Sequence, residues 1–260
     1  MSFSKLLLAS KEESESNICV GLDLASYKSR KEQTLQISEK KADVILNLID
    51  SLSPYCCSFK VNRQYILDLS LSQIQMITSK AHDCNRPVII DHKISDIGAS
   101  NEQMLYHCKQ EGFDAFTASP FPGNVKEICD ISHSYGLSSI ILVLMSNPEA
   151  EWMKKSFLDG LPLFQHFAKL TNKYADGAVV GSTGYIGMKE LKIIAEEISG
   201  KFILSPGLGA QGGEIEKLLI VFKEDVIFNV GRAIIYHKNP VEVIKKYNNS
   251  VKSVYYSLGK

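Results

Sequence analysis

Eight short runs of apolar and β-branched residues, separated by stretches of helical period, constrain the fold of this chain more than any other feature. The strand candidates are Asn17–Asp23, Cys56–Val61, Pro87–His92, Asp114–Ala118, Ser139–Leu144, Gly177–Gly181, Lys201–Ser205 and Asp225–Asn229. Val88-Ile-Ile-Asp91 and Ile140-Ile-Leu-Val-Leu144 are apolar before any polar residue intervenes, rather than alternating. That pattern suits strands covered on both faces, as in a parallel sheet. Helical-period segments accompany seven of the eight strands. The first is Ser38–Leu52, with Ala42, Ile45, Leu46 and Ile49 on one face; then come Ala99–Gln110, Val125–Tyr135, Pro162–Tyr174, Met188–Ile198 and Glu214–Phe222. Val241–Tyr255 follows the breaker Pro240. Eight such alternations in 260 residues predict an α/β chain folded as a closed (β/α)8 TIM barrel, one domain over residues 1–260. No Gly-x-Gly-x-x-Gly follows the first strand, which argues against an open dinucleotide-binding sheet.

Charge narrows the class of partner. Lys+Arg and Asp+Glu balance at 29 each, so no global field favours nucleic acid or an anionic membrane. Any phosphate recognition must be local. The apolar run in Met1–Ser10 is too short for a signal peptide and gives way to the polar Lys11–Ser16, and no run approaches the ~20 residues of a membrane span. The six cysteines form no Cys-x-x-Cys pair and fall mostly in apolar segments, so reduced thiols in a cytoplasmic protein are expected. No His/Cys ligand spacing appears, and no structural metal is expected.

In such barrels the chemistry gathers at the C-terminal ends of the strands. Read only there, the sequence offers Asp23, Lys60, Asp91 and Lys93 with Asp96 just beyond, Ser146, the glycine-rich Pro206–Gly213, and Gly231-Arg232. Asp91 and Lys93 project to the same side if both stay extended, with His92 turned towards the helices as a core histidine. With Lys60 from the neighbouring strand and Asp96, they would form an array of alternating charge that holds a lysine protonated beside a substrate anion. For a bare Asp-x-Lys-x-x-Asp taken alone, a plain charge cluster at a strand end is the favoured reading. The glycine loop and Arg232 suit a phosphate, through backbone N–H groups, a helix N-terminus and a guanidinium fork. Glycines that merely make turns are the alternative. Trp152 within Glu149–Lys155 reads as a solvated helical turn, and Tyr55, Tyr65, Tyr255 and Tyr256 as packing.

These residues also fall into ordered blocks: Gly21-Leu-Asp23, Phe59-Lys60, Asp91-His-Lys-Ile-Ser-Asp-Ile97, Pro120-Phe-Pro-Gly123, Met145-Ser-Asn-Pro148, Pro206–Gly213 and Val230-Gly-Arg232. In this the chain resembles the orotidine 5′-monophosphate decarboxylase family over nearly its whole length. It departs from many relatives in having Leu24 rather than proline after Asp23, and Gly181-Ser-Thr183 matches loosely.

The resemblance implies cofactor-free decarboxylation of orotidine 5′-monophosphate to UMP, the last step of pyrimidine nucleotide synthesis. It implies Asp23 and Lys60 at the ribose and in the charge network, Asp91 beside the substrate carboxylate, and Lys93 as proton donor. Ser146 would bind the pyrimidine, while Pro206, Gln211, Gly231 and Arg232 would surround the phosphate. Asp96 and Ser100 would reach into the partner's site of a homodimer. The alternative is a Mg2+-dependent sugar-phosphate decarboxylase or aldolase built on the same Asp-x-Lys-x-x-Asp barrel.

Overall fold

The computed structural model describes residues 3–25, 40–208 and 213–259. Every one of the eight apolar runs is a strand: β1 Ile18–Gly21, β2 Ser58–Asn62, β3 Val88–Ile94, β4 Ala115–Ala118, β5 Ser138–Leu144, β6 Gly177–Val180, β7 Phe202–Pro206 and β8 Val226–Val230. Neighbouring strands are parallel, and the pairing of Ile18 with Phe228 joins β1 to β8 and closes the barrel. The helices are α1 Phe3–Ser14, α2 Lys41–Leu52, α3 Leu71–Asp83, α4 Gly98–Gln110, α5 Val125–Ser134, α6 Leu163–Tyr174, α7 Met188–Glu197, α8 Gly213–Phe222 and α9 Pro240–Ser257. One-turn helices cover Trp152–Lys155 and Arg232–Ile235. The (β/α)8 expectation is met.

Two helices were not expected from the sequence. In α3 the buried residues Ile74, Ile77, Thr78 and Ala81 are spaced i, i+3, i+4 and i+7, a helical stripe that the strand-centred reading passed over. Its start is also written in a capping box: the Gln73 N–H donates to the Ser70 hydroxyl at 3.3 Å, and the Ser70 N–H to the Gln73 side chain at 2.9 Å. The other, α1, occupies the segment set aside above as too short for a leader. It places Phe3 and Leu7 in one buried cluster with Cys19, Cys57, Ile89 and Ile227 at the N-terminal end of the barrel, with the Phe3 ring 5.1 Å from that of Phe202. On α2 the buried face is Ala42, Ile45, Leu48, Ile49 and Leu52, whereas the expected Leu46 is only half-buried. Residues 38 and 39 of that proposed helix lie outside the described residues.

Polarity changes along the barrel axis, and this places the site. The lower interior is largely apolar, from Cys19, Ile89, Ala115, Ile140, Phe202 and Ile227. Burial pushes the thiols of Cys19 and Cys57 up to about 12 and about 11, so they act as small apolar groups. All six cysteines are free and all but the half-buried Cys84 are buried, as expected. Two residues further along several strands, polar side chains line the interior instead.

Candidate active site

Those polar side chains surround a cavity of about 230 Å3 at the C-terminal mouth of the barrel, lined among others by Lys60, Asp91, Lys93, Thr117, Ser146 and Asn229. Asp91 is its electrostatic centre. Its Oδ2 accepts from Lys60 Nζ at 3.0 Å, and its Oδ1 from Lys93 Nζ at 2.7 Å and from the Thr117 hydroxyl at 2.9 Å. Lys60 Nζ also lies 3.6 Å from Asp23 Oδ2, whose Oδ1 accepts the backbone N–H of Asn62 at 2.9 Å. The charges therefore alternate, Asp23–Lys60–Asp91–Lys93.

Protonation follows from this order. Burial alone would raise the Asp91 carboxyl, but the Lys60 and Lys93 charges outweigh it and hold it well below the usual carboxylate range. Burial would lower the Lys60 ammonium, yet Asp23 and Asp91 raise it above its ordinary value. Lys60 is 5 % exposed at its side chain and Lys93 40 %, so the second ammonium is the one that meets the cavity mouth.

A stability consequence arises here. Asp91→Asn would leave the buried Lys60 with only Asp23, and we expect a loss of about 3 kcal/mol at pH 7, the low end for a broken buried pair because Asp23 remains. A native carboxyl held low stabilises above the ordinary carboxylate pKa and loses that contribution as pH falls through its own lower value. Thermal melts of the two proteins should thus differ at neutral pH and converge in strong acid.

Two details differ from the sequence expectation. Lys60 is in the middle of β2, not at its end, and reaches the mouth by the length of its side chain. Lys93 is not extended: its φ is +55°, and the β3–β4 register passes from Ile90 opposite Phe116 to Ile94 opposite Ala118 across a bulge. Asp91 and Lys93 meet because of that bulge, not through strand alternation. His92 is absent from the cavity lining and stays half-buried, with burial lowering its basicity.

The remaining expected residues are placed as follows. Ser146 lines the cavity just beyond β5, next to Met145, whose carbonyl accepts from the Tyr185 hydroxyl. Gly181, the loosely matching position, makes this possible: a Cβ there would stand 2.6 Å from the Ser146 Cβ. Pro206 ends β7 in the lining. Gly231 follows β8 and lies against Gly21, and its own Cβ would fall 3.2 Å from the Gly21 carbonyl oxygen. Arg232 then opens the one-turn helix with an exposed side chain. Asp96 and Ser100 are exposed at the head of α4, outside the cavity lining; the Asp96 carboxylate accepts from the Ile97 N–H at 2.8 Å. Gln211, with Gly209 and Gly212, lies outside the described residues.

Thr117 and Asn229 were missed, since only strand ends were read for chemistry. Both are polar residues inside otherwise apolar strands, two positions beyond the interior residues Ala115 and Ile227. That spacing was the available signal.

Residues 16–247 match the family described as Orotidine 5′-phosphate decarboxylase / HUMPS. The chain belongs to that family. It is 32 % identical over 208 residues to orotidine 5′-phosphate decarboxylase of Methanocaldococcus jannaschii, covering 79 % of this chain and 91 % of that protein. The enzyme of the same name from Janthinobacterium is 28 % identical over 254 residues, covering 92 % and 91 %. The M. jannaschii enzyme crystallised with the inhibitor BMP superposes with a TM-score of 0.69 at 27 % identity, over 91 % of this chain and 98 % of that one. The Plasmodium berghei orotidine 5′-monophosphate decarboxylase structure shares the fold, with a TM-score of 0.83 at 19 % identity over 99 % of this chain and all of that one. These relatives make the chain an enzyme of the carboxy-lyase class. Among the described residues no helix is long and apolar enough to cross a membrane.

Proposed function

We propose that this enzyme decarboxylates orotidine 5′-monophosphate to UMP without a cofactor, with Lys93 delivering the proton. The observation that carries the reading is the alternating Asp23–Lys60–Asp91–Lys93 array at the mouth of the cavity. Cleavage of the bond from C6 to the carboxylate releases CO2 and leaves an electron pair in an sp2 orbital at C6. No adjacent carbonyl can delocalise that pair. A fixed ammonium beside C6 stabilises it as it forms and then supplies the proton, with water returning a proton to the neutral amine. Asp91, held ionised between two lysines, orients Lys93 and stands where the departing carboxylate would lie.

In this reading Asp23 and Lys60 hold the ribose and Ser146 the pyrimidine edge. Gln211, Arg232 and the backbone at Pro206 and Gly231 hold the phosphate. Asp96 and Ser100 serve the site of the partner subunit in a homodimer, which accounts for their exposed positions away from this chain's own cavity. The Mg2+-dependent sugar-phosphate reading is not favoured, because the curated relatives carry the decarboxylase name.

The test is the reaction in D2O. UMP bearing a single deuterium at C6 supports direct protonation of the carbanion; intact substrate contradicts the assignment. The unreacting phosphate is expected to contribute beyond binding. Arg232→Ala should lower kcat as well as raise KM, together about 10^2-fold or more in kcat/KM, because remote contacts lower the barrier at the reacting centre. A change confined to KM would make Arg232 a binding residue only.

A further inference from the structure

Among the described residues, five other than glycine have positive φ, namely Glu15, Asn85, Lys93, Asp159 and Lys223, and Lys93 is the one that lies inside a strand. A left-handed backbone costs an L-residue roughly 1–2 kcal/mol, so something must hold it there. The bulge removes the Lys93 N–H from the β3–β4 ladder, and that N–H donates instead to the Thr117 hydroxyl at 2.9 Å. The hydroxyl has one hydrogen to give, and it goes to Asp91 Oδ1 at 2.9 Å, the oxygen that also receives Lys93 Nζ. The result is a closed circuit: Lys93 backbone to Thr117, Thr117 to Asp91, and Asp91 back to the Lys93 ammonium. Thr117 is fully buried, so its hydroxyl is shielded from solvent.

We propose that the Thr117 hydroxyl is the positioning group of this reaction centre. It fixes the strained backbone under Lys93 and the rotation of the Asp91 carboxylate together, so the ammonium is aimed before substrate arrives. With Oδ1 engaged by Thr117 and Lys93, Oδ2 is left to Lys60, and the two lysines stay on separate oxygens of one carboxylate. Preorganisation of this kind acts on the chemical step and hardly at all on the affinity for a product lacking the carboxylate. The inference rests on the assignment of Lys93 as proton donor.

Thr117→Val keeps the shape and removes both hydrogen bonds, while Thr117→Ser keeps the hydroxyl. The variants are compared by kcat on orotidine 5′-monophosphate, by UMP affinity, and by hydrogen exchange of the Lys93 amide in NMR spectra. For Thr117→Val we expect kcat to fall about 10- to 100-fold, as for a small misplacement of a catalytic group, with UMP affinity held within about 3-fold. The Lys93 amide should lose protection in this variant. Thr117→Ser should stay within about 5-fold of wild type and keep the amide protected. If the valine protein does not fold, Thr117→Ala makes the same comparison with less steric demand. Equal losses in the serine and valine variants, or none in valine, overturn the proposal. Should the wild-type protein leave the nucleotide intact, the assigned reaction fails, and the exchange experiment alone decides: undiminished Lys93 protection in Thr117→Val overturns the positioning role.

Discussion

Lys93→Ala is expected to stop turnover, with kcat reduced by about 10^4-fold or more, while UMP still binds within about 10-fold of wild type. The size follows from the two tasks given to one ammonium. It stabilises the C6 carbanion as it forms and then protonates it, and among the described residues the only other cation lining the cavity is Lys60, which is buried and already shared between two carboxylates. The alanine protein should also fold well. Lys93 is 40 % exposed, and its removal leaves Asp91 still paired with Lys60 and bonded to Thr117. Activity and stability therefore separate in this variant, whereas Asp91→Asn loses both. Parallel turnover, UMP titration and thermal melting check the three statements. Residual activity near wild type would remove Lys93 from the donor role.

Asp96→Asn should be almost as damaging, and its defect should be curable in a way no buried mutation allows. Among the described residues the Asp96 carboxylate does not line this cavity, and it accepts from the Ile97 N–H. If it serves the partner's site, a mixed dimer of inactive Asp96→Asn and inactive Lys93→Ala subunits contains one site built from two intact contributions. The other site carries both lesions. Mixing the two dead proteins under conditions of subunit exchange should bring back activity, up to about half the wild-type rate per verified heterodimer because one site of two is intact. Activity that fails to return in heterodimers confirmed by mass would show that each barrel works alone.

How far the site could be read in advance depended on which physical rule wrote each residue. The eight strands are legible because burial on both faces forces continuous apolar runs, and Lys60, Asp91 and Lys93 stand out because charge is costly in such runs. Thr117 and Asn229 are less conspicuous, since a threonine or asparagine inside a strand carries no net charge to notice. The bulge at Lys93 was not legible at all. Asp91-His-Lys-Ile94 has no glycine to announce a left-handed residue, and the conformation is held by a hydroxyl 24 positions away in sequence. Helix α1 escaped for a similar reason. Its buried apolar residues, Phe3 and Leu7, acquire meaning only once there is a barrel floor for them to cover. Distance in sequence, not weakness of interaction, hid these features.

Ultraviolet absorbance tests the central claim most directly. Purified protein is mixed with orotidine 5′-monophosphate in EDTA, with no cofactor added, and the orotate band is followed while the nucleotide product is identified. Decay of the band with stoichiometric UMP is the result expected of cofactor-free decarboxylation by the Asp91–Lys93 centre. An unchanged spectrum in EDTA, followed by turnover of a sugar phosphate once Mg2+ is supplied, would contradict it and transfer the same charge array to metal-dependent chemistry.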